Sequence, residues 1–235
     1  MSARFEELDS TDTEWGVISL RRRFDPVTRR EVFEVKIDDD FLMTSQFTAT
    51  EEELARIALR ALDGEALTVL VGGLGLGYTA AAALADPRVE QVTVVEAVER
   101  VITWHQHDLF PDTRGLAADP RTHLVRADFF ELVRAGRHEH TYDAVLIDID
   151  HAPDRLLRAD HSDLYTPDGL GAVAALVAPD GVLALWSDEP PTTSVVDLML
   201  TGFDAARSHV VDFDNPLTGG TSACTIYLAR GPRQP

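Results

Sequence analysis

The sequence predicts an α/β fold, a Rossmann-type parallel sheet preceded by a small β domain, and three observations predict it. Residues 69–96, VLVGGLGLGYTAAAALADPRVEQVTVVE, run from an apolar strand through a glycine loop and a small-residue helix into a second apolar strand that ends on an acid. From residue 67 onward, strand-length apolar runs alternate with helical patterns. Residues 1–48 instead read as β. The chain therefore divides into an N-terminal β domain, 1–48, and a Rossmann-like domain, 49–235.

Within the first domain, 16–24 and 31–37 are strand-like runs with partial alternation, joined by the turn chemistry of Asp25-Pro26-Val27-Thr28. Residues 41–47 add a third short strand. Thr50 is read as the start of a helix, with Glu53 three residues on completing a capping box. Glu51, Glu52 and Glu53 suit the positive end of the helix dipole. Leu54, Ile57, Ala58 and Leu62 give this helix its buried face, and Gly64 stands where a C-cap belongs.

The second domain is expected to carry strands at 67–72, 91–96, 122–127, 142–148 and 181–187. Helices are expected near 77–86, 98–108, 129–135, 169–177 and 192–201. Two further strands, 205–213 and 223–228, flank the turn-rich loop Asn215-Pro216-Leu217-Thr218-Gly219-Gly220 and are expected to pair antiparallel. Repeated βα units imply a parallel sheet covered on both faces. A closing antiparallel pair is the usual ending of the S-adenosylmethionine-methyltransferase type of Rossmann sheet.

The bulk composition narrows the function classes. A chain of 235 residues with 45% hydrophobic and 26% charged residues can bury a full core. No apolar run approaches the roughly 20 residues that span a bilayer, so no membrane partner is expected. The opening MSARFEELDSTDTEW is acidic and polar, unlike a secretory signal. Cys224 is the single cysteine, which excludes a disulfide framework and a cysteine metal cluster. A cytoplasmic location is the default expectation. The net charge of −19 repels phosphate backbones, so no nucleic-acid partner is expected, and it attracts cationic small molecules. Solubility, or a host of high salt or high GC content, accounts for the same charge.

Four predicted strand ends carry the candidate site, because ligands in open α/β sheets sit beyond the carboxyl ends of the strands. The loop of Gly73, Gly75 and Gly77 lets the backbone pass close under a ligand, or simply makes a tight turn. Glu96 ends the second strand at the spacing of a ribose-binding acid. Its plainer reading is an exposed strand-end carboxylate. Asp128-Phe129 can meet an adenine through the carboxylate and the phenyl ring, or can be an N-cap followed by a core side chain. In YDAVLIDIDHAP an apolar strand runs into Asp148, Asp150 and His151. Asp148 stands where a reacting group belongs: a carboxylate there can orient an amine, accept its proton or stabilise a sulfonium. The cluster also has the ligand type of a hard metal site, but alone it supplies too few ligands. Trp104, His105 and His107 are expected to pack a helix face, Arg21 to Arg23 to be a solvated strand end, and Asp38 to Asp40 an exposed turn. Trp186, Ser187 and Asp188 follow the fifth strand, at the pocket rim or in the core.

Over most of its length, residues 15–186, the chain resembles the spermidine synthases, the polyamine aminopropyltransferases. The matching pieces are VLVGGLGLG, VVEAVERVI, VRADFFELV and YDAVLIDIDHAP. The resemblance implies a small N-terminal β domain on a methyltransferase-like Rossmann domain, with Glu96 on the ribose, Asp128 near the adenine and Asp148 as acid/base. It also implies a homodimer. Three departures stand out. Leu76 occupies the position of an aspartate that holds the amine end of decarboxylated S-adenosylmethionine in the family. His151 stands where a second aspartate grips the polyamine, with Asp150 one step earlier. TSQFTATEEEL lacks a counterpart of the family's tyrosine and histidine contacts.

These readings imply an alkyl transferase using S-adenosylmethionine or its decarboxylated form as co-substrate and a small cationic amine as acceptor. Aminopropyl transfer follows the resemblance. Methyl transfer follows the loss of the acid at Leu76. A nicotinamide-dependent oxidoreductase also uses a glycine-rich βαβ unit with a terminal acid, but the N-terminal β domain and the closing strand pair speak against it. A non-catalytic nucleoside-binding homologue is the third class.

Overall fold

The computed structural model describes residues 5–136 and 140–233. It opens with an antiparallel sheet in the order β1-β2-β3-β4: β1 (Phe5–Thr13), β2 (Gly16–Asp25), β3 (Arg30–Ile37) and β4 (Asp40–Thr44). The expected turn between β2 and β3 is built on Asp25, whose Oδ2 accepts from the Thr28 hydroxyl at 2.6 Å and its amide at 3.1 Å. The third expected strand is shorter than 41–47 and ends at Thr44.

β1 was not expected. No residue of FEELDSTDT is buried, so the segment shows no apolar alternation. Pairing with β2 holds it, together with Asp9, which accepts from Trp104 Nε1 at 2.6 Å and from the Arg100 guanidinium.

Helix α1 (Ala49–Arg60) starts earlier than expected, with Thr48 at its N-cap. The capping box of Thr50 and Glu53 does not form. Thr50 lies inside the first turn and donates to Glu51 Oε2 at 2.8 Å, while Glu53 pairs with Arg56 and Arg60. The helix closes at Ala61, before Gly64.

The larger sheet has the order β10-β11-β9-β8-β5-β6-β7. Its strands are β5 (Leu67–Gly72), β6 (Val89–Glu96), β7 (Thr122–Arg126), β8 (Tyr142–Ile147), β9 (Val177–Ser187), β10 (Phe203–Asn215) and β11 (Gly220–Pro232). The first five are parallel where they pair. β11 joins β9 antiparallel and β10 closes on β11, as the closing pair predicts. The intervening helices are α2 (Tyr78–Leu84), α3 (Glu99–Gln106), α4 (Phe129–Ala135), α5 (Pro167–Ala174) and α6 (Thr193–Gly202).

The strand period of two sorts side chains to the two faces of this sheet. Val69 and Val71 of β5 join Leu54 and Ile57 of α1 and Ile18, Leu20, Phe33 and Val35 of the small sheet in one core. Leu70 joins Val145, Ile147, Phe129 and Val173 in the core on the other face. The small sheet thus packs onto the same apolar cluster as the Rossmann-type sheet. Strand order reverses at β5, which lies between β8 and β6, and Gly72 is registered with both Ile147 and Val95. A ligand crevice belongs beyond that switch point. No helix among the described residues is long and apolar enough to cross a membrane.

Candidate active site

Beyond Gly72 the chain turns sharply. Gly73 has φ +91°, and a Cβ there would lie 2.3 Å from the Asp148 carbonyl oxygen. The glycine loop and the loop after β8 are therefore in backbone contact, which only glycine allows. Gly77, at φ +86°, caps α2 against the His105 ring. His105 Nε2 lies 2.9 Å from the Gly75 carbonyl, and burial holds this imidazole below its ordinary pKa. As a neutral ring it donates to that oxygen and fixes the loop. The Thr113 hydroxyl holds the next turn by donating to the Leu76 carbonyl at 2.9 Å. The expected helix-face packing holds for Trp104 and His105, both buried, but not for His107, which is exposed at the C-cap of α3.

Glu96 is buried at the end of β6. Its Oε2 accepts from Leu74 N at 3.0 Å and its Oε1 from Val98 N at 2.8 Å. Burial raises its pKa, and these amides oppose the rise. It is not the exposed strand-end acid of the plainer reading. Asp128 caps α4, with Oδ1 accepting from Phe130 N at 2.7 Å and Glu131 N at 3.2 Å. Phe129 is buried against Gly72. The N-cap and core reading of this dipeptide holds, and Asp128 and Phe129 also line the main cavity.

That cavity has a volume of about 530 Å³ and is walled by Gly73, Gly75, Glu96, Asp128, Phe129 and Asp148. A second compartment of about 350 Å³ is walled by Glu51, Gly77, Tyr78, Asp148, Trp186 and Phe213. Gly75, Asp148, His151 and Asp188 belong to both, so Asp148 stands at their junction. A larger groove of about 660 Å³ between α1 and β10 contains none of these residues.

Asp148 is held from two sides. Its amide donates to the Gly72 carbonyl at 2.9 Å, and its Oδ2 accepts from the Thr79 hydroxyl at 2.6 Å. Burial pushes its carboxyl up to about 6, against the lowering effect of Thr79. Glu51, from the first turn of α1, is pushed up to about 7, first by burial and then by the charge of Asp148. A carboxyl in that range exchanges its proton near neutral pH, which suits it to take one from an amine.

Asp150 is turned away from this junction. It is buried, with Oδ1 accepting from His161 Nδ1 at 2.8 Å and from Leu157 N at 2.9 Å, and Oδ2 accepting from Tyr165 Oη at 3.1 Å. Its expected place beside the reacting group is therefore corrected: among the described residues it lines neither compartment, and its three bonds fold the loop 150–158. His151 does face both compartments, and its carbonyl accepts from Asp188 N at 2.9 Å. Trp186 and Asp188 take the rim position; Asp188 is paired with Arg155. Arg22 and Arg23, expected to be solvated, pair with Glu6 and Glu34.

Sequence reasoning missed Glu51 and Thr79. Glu51 sits among three consecutive acids that the helix dipole explains, and Thr79 sits in a small-residue helix. Only the fold brings both to the end of β8.

No protein-family model matches the chain. Among curated proteins it is similar to putrescine N-methyltransferase 2 of Nicotiana tabacum, at 29% identity over 132 residues, 56% of this chain and 35% of that protein. Putrescine N-methyltransferase 2 of Nicotiana attenuata is likewise 29% identical, over 56% of this chain and 33% of its own. The match thus spans about a third of the length of these relatives. Among solved structures, the spermidine synthase of Thermotoga maritima superposes with a TM-score of 0.75 at 19% identity, covering 96% of this chain and 72% of that one. A spermidine synthase in complex with the transition state analogue AdoDATO gives a TM-score of 0.75 at 20% identity, over 96% and 73%. The small antiparallel sheet and the seven-stranded, mostly parallel sheet are those of the spermidine synthase fold, and that is the fold of this chain.

Proposed function

We propose that this protein is a transferase that moves an alkyl group, in the first reading aminopropyl, from a decarboxylated S-adenosylmethionine-type donor to a small cationic amine. The single observation that carries the reading is the position of Asp148 where two compartments meet. A cavity of about 530 Å³ suits a nucleoside-sized ligand. Gly73 and Gly75 give it a backbone floor, Glu96 is poised for the ribose, and Asp128 with Phe129 is poised for the base. The acceptor occupies the second compartment. β4 belongs to the machinery, since Phe41, Leu42 and Met43 wall both compartments; the reading therefore needs the N-terminal domain, 1–48, as well as the domain 49–235.

In this mechanism Asp148 accepts a proton from the acceptor ammonium. The freed nitrogen lone pair attacks the carbon on the sulfonium in line, the carbon–sulfur bond breaks, and its electron pair goes to sulfur. Holding the two reactants in line supplies much of the rate. The acidic surface, at a net charge of −19, favours the approach of a cationic acceptor.

Methyl transfer is the second reading, and two observations favour it. Leu76 is buried in the compartment wall where the family carries an acid for the donor's amine end, and the curated relatives are named as N-methyltransferases. Calorimetry with both donors, and mass spectrometry of the product, separates the readings. Tight binding of the carboxylated donor alone, with a methylated product, removes aminopropyl transfer. Binding of neither donor removes both. The same reading expects a homodimer, which light scattering of the purified protein tests.

A further inference from the structure

We propose that Glu51 is a second acceptor-binding residue, which holds the ammonium group of an organic amine against Asp148. The inference rests on the reading of the main cavity as the donor site and adds a residue from α1 to it.

Geometry carries it. Glu51 walls the same 350 Å³ compartment as Asp148. Thr79 ties the two together: its hydroxyl lies 2.6 Å from Asp148 Oδ2 and 3.2 Å from the Glu51 carbonyl oxygen. Among the described residues, only the Thr50 hydroxyl bonds the Glu51 carboxylate, at 2.8 Å to Oε2. Asp188 in the same wall has Arg155 as its counterion, but among the described residues no lysine or arginine lines the compartment for Glu51 or Asp148. Two enclosed carboxylates without a counterion are costly, and a cationic ligand offsets that cost. Trp186 and Phe213 also line this wall, and aromatic side chains are compatible with an ammonium. Burial raises both carboxyls, an effect that a bound cation would oppose. The resemblance puts the second acceptor-gripping acid three residues after Asp148, where this chain has His151. Glu51 supplies that charge from a different element, within the segment TSQFTATEEEL that lacks a counterpart of the family's tyrosine and histidine contacts.

The proton accounting follows. The amine enters as R–NH3+ and is held by Glu51. It gives one proton to Asp148 and attacks as R–NH2. It leaves as a secondary ammonium while the sulfonium becomes a neutral thioether.

The test compares wild type, Glu51→Gln, Glu51→Asp and Glu52→Gln by calorimetry, with methylthioadenosine as donor-site probe and a panel of primary mono- and diamines including putrescine. Glu52 lies on the same turn but pairs with Arg56, outside the compartment. Glu51→Gln is expected to weaken amine binding at least tenfold and to leave methylthioadenosine binding within twofold. Glu51→Asp is expected to recover part of the loss, and Glu52→Gln to change neither. Unchanged amine affinity in Glu51→Gln overturns the inference while leaving the donor-site reading intact. So does a wild-type protein that binds methylthioadenosine and none of the amines. A wild-type protein that binds neither probe overturns both.

Discussion

The Thr79 hydroxyl donates a 2.6 Å hydrogen bond to Oδ2 of Asp148, so the first turn of α2 aims the carboxylate that ends β8. One oxygen is committed to Thr79. The other is left for the junction of the two compartments. A positioned base needs that division: one contact to fix its direction, one lone pair to use.

Asp148→Asn keeps the shape and removes the basicity. Turnover is expected to fall about a hundredfold or more. Methylthioadenosine affinity should remain nearly unchanged, because the amide still fits beside Thr79. Steady-state rates and calorimetry check the pair of outcomes. Wild-type turnover in the variant removes Asp148 from the chemistry.

The pH profile follows from the same geometry. Asp148 must be ionised to accept a proton, and burial raises its carboxyl to about 6, with Glu51 raised to about 7. Both are protonated below those values, so kcat/KM is expected to climb from about pH 5 and to level off above about pH 8. The two titrate as a pair, and the limb belongs to the pair. The Thr79 bond favours the ionised form, so Thr79→Val should move the limb to higher pH. A limb that stays in place, or moves down, contradicts the assignment.

Gly73→Ala tests the contact between the two loops. The new Cβ would meet the Asp148 carbonyl oxygen at 2.3 Å, on a backbone at φ +91° that alanine resists. Relief requires the glycine loop and the Asp148 loop to part. Nucleoside-probe affinity and turnover are both expected to fall at least tenfold. Gly64→Ala is the control: it also has positive φ, at +99°, but no neighbour within 4 Å, so it carries the backbone strain without the collision. Equal binding losses in both variants point to strain alone.

The sheet was legible because its signals are local. Each parallel strand is an apolar run, and each strand end in the site follows from one: Gly72 to Gly77 after β5, Glu96 at the end of β6, Asp128 after β7 and Asp148 after β8. What failed to show was set by tertiary contact. β1 has only Phe5 and Leu8 as apolar residues and is defined by Arg21 to Arg23 across from it and by Asp9 reaching Trp104. The start of α1 moved because Thr50 was needed inside, beside Glu51, and Thr48 took the cap. Glu51 and Thr79 reach the site from helices whose local patterns carry no hint of it. Asp150 misled for the opposite reason: a DxD pattern places two acids side by side in sequence, yet the chain turns between them and sends one inward.

That inward turn gives the last prediction. Asp150 is the shared acceptor for His161 Nδ1, Leu157 N and Tyr165 Oη, and His161 in turn stacks on Phe130 with ring centroids 3.7 Å apart. Phe130 packs edge-on against Phe129 at 6.0 Å, and Phe129 walls the donor cavity. Asp150→Ala leaves three donors without their acceptor, that of His161 buried and those of Leu157 and Tyr165 part-buried. Each unsatisfied group costs roughly 1–3 kcal/mol, so the variant is expected to lose about 3 kcal/mol or more of stability. Urea unfolding reads this as a lower midpoint at unchanged slope. Asp150→Asn should retain part of the network, since its carbonyl still accepts from Leu157 N or His161. Under conditions where both variants remain folded, the loss should fall on donor affinity, through Phe130 and Phe129, and spare the rate of the bound complex. Asp148→Asn gives the opposite split. An Asp150 variant with full stability and a hundredfold loss of turnover would return this residue to the reacting centre.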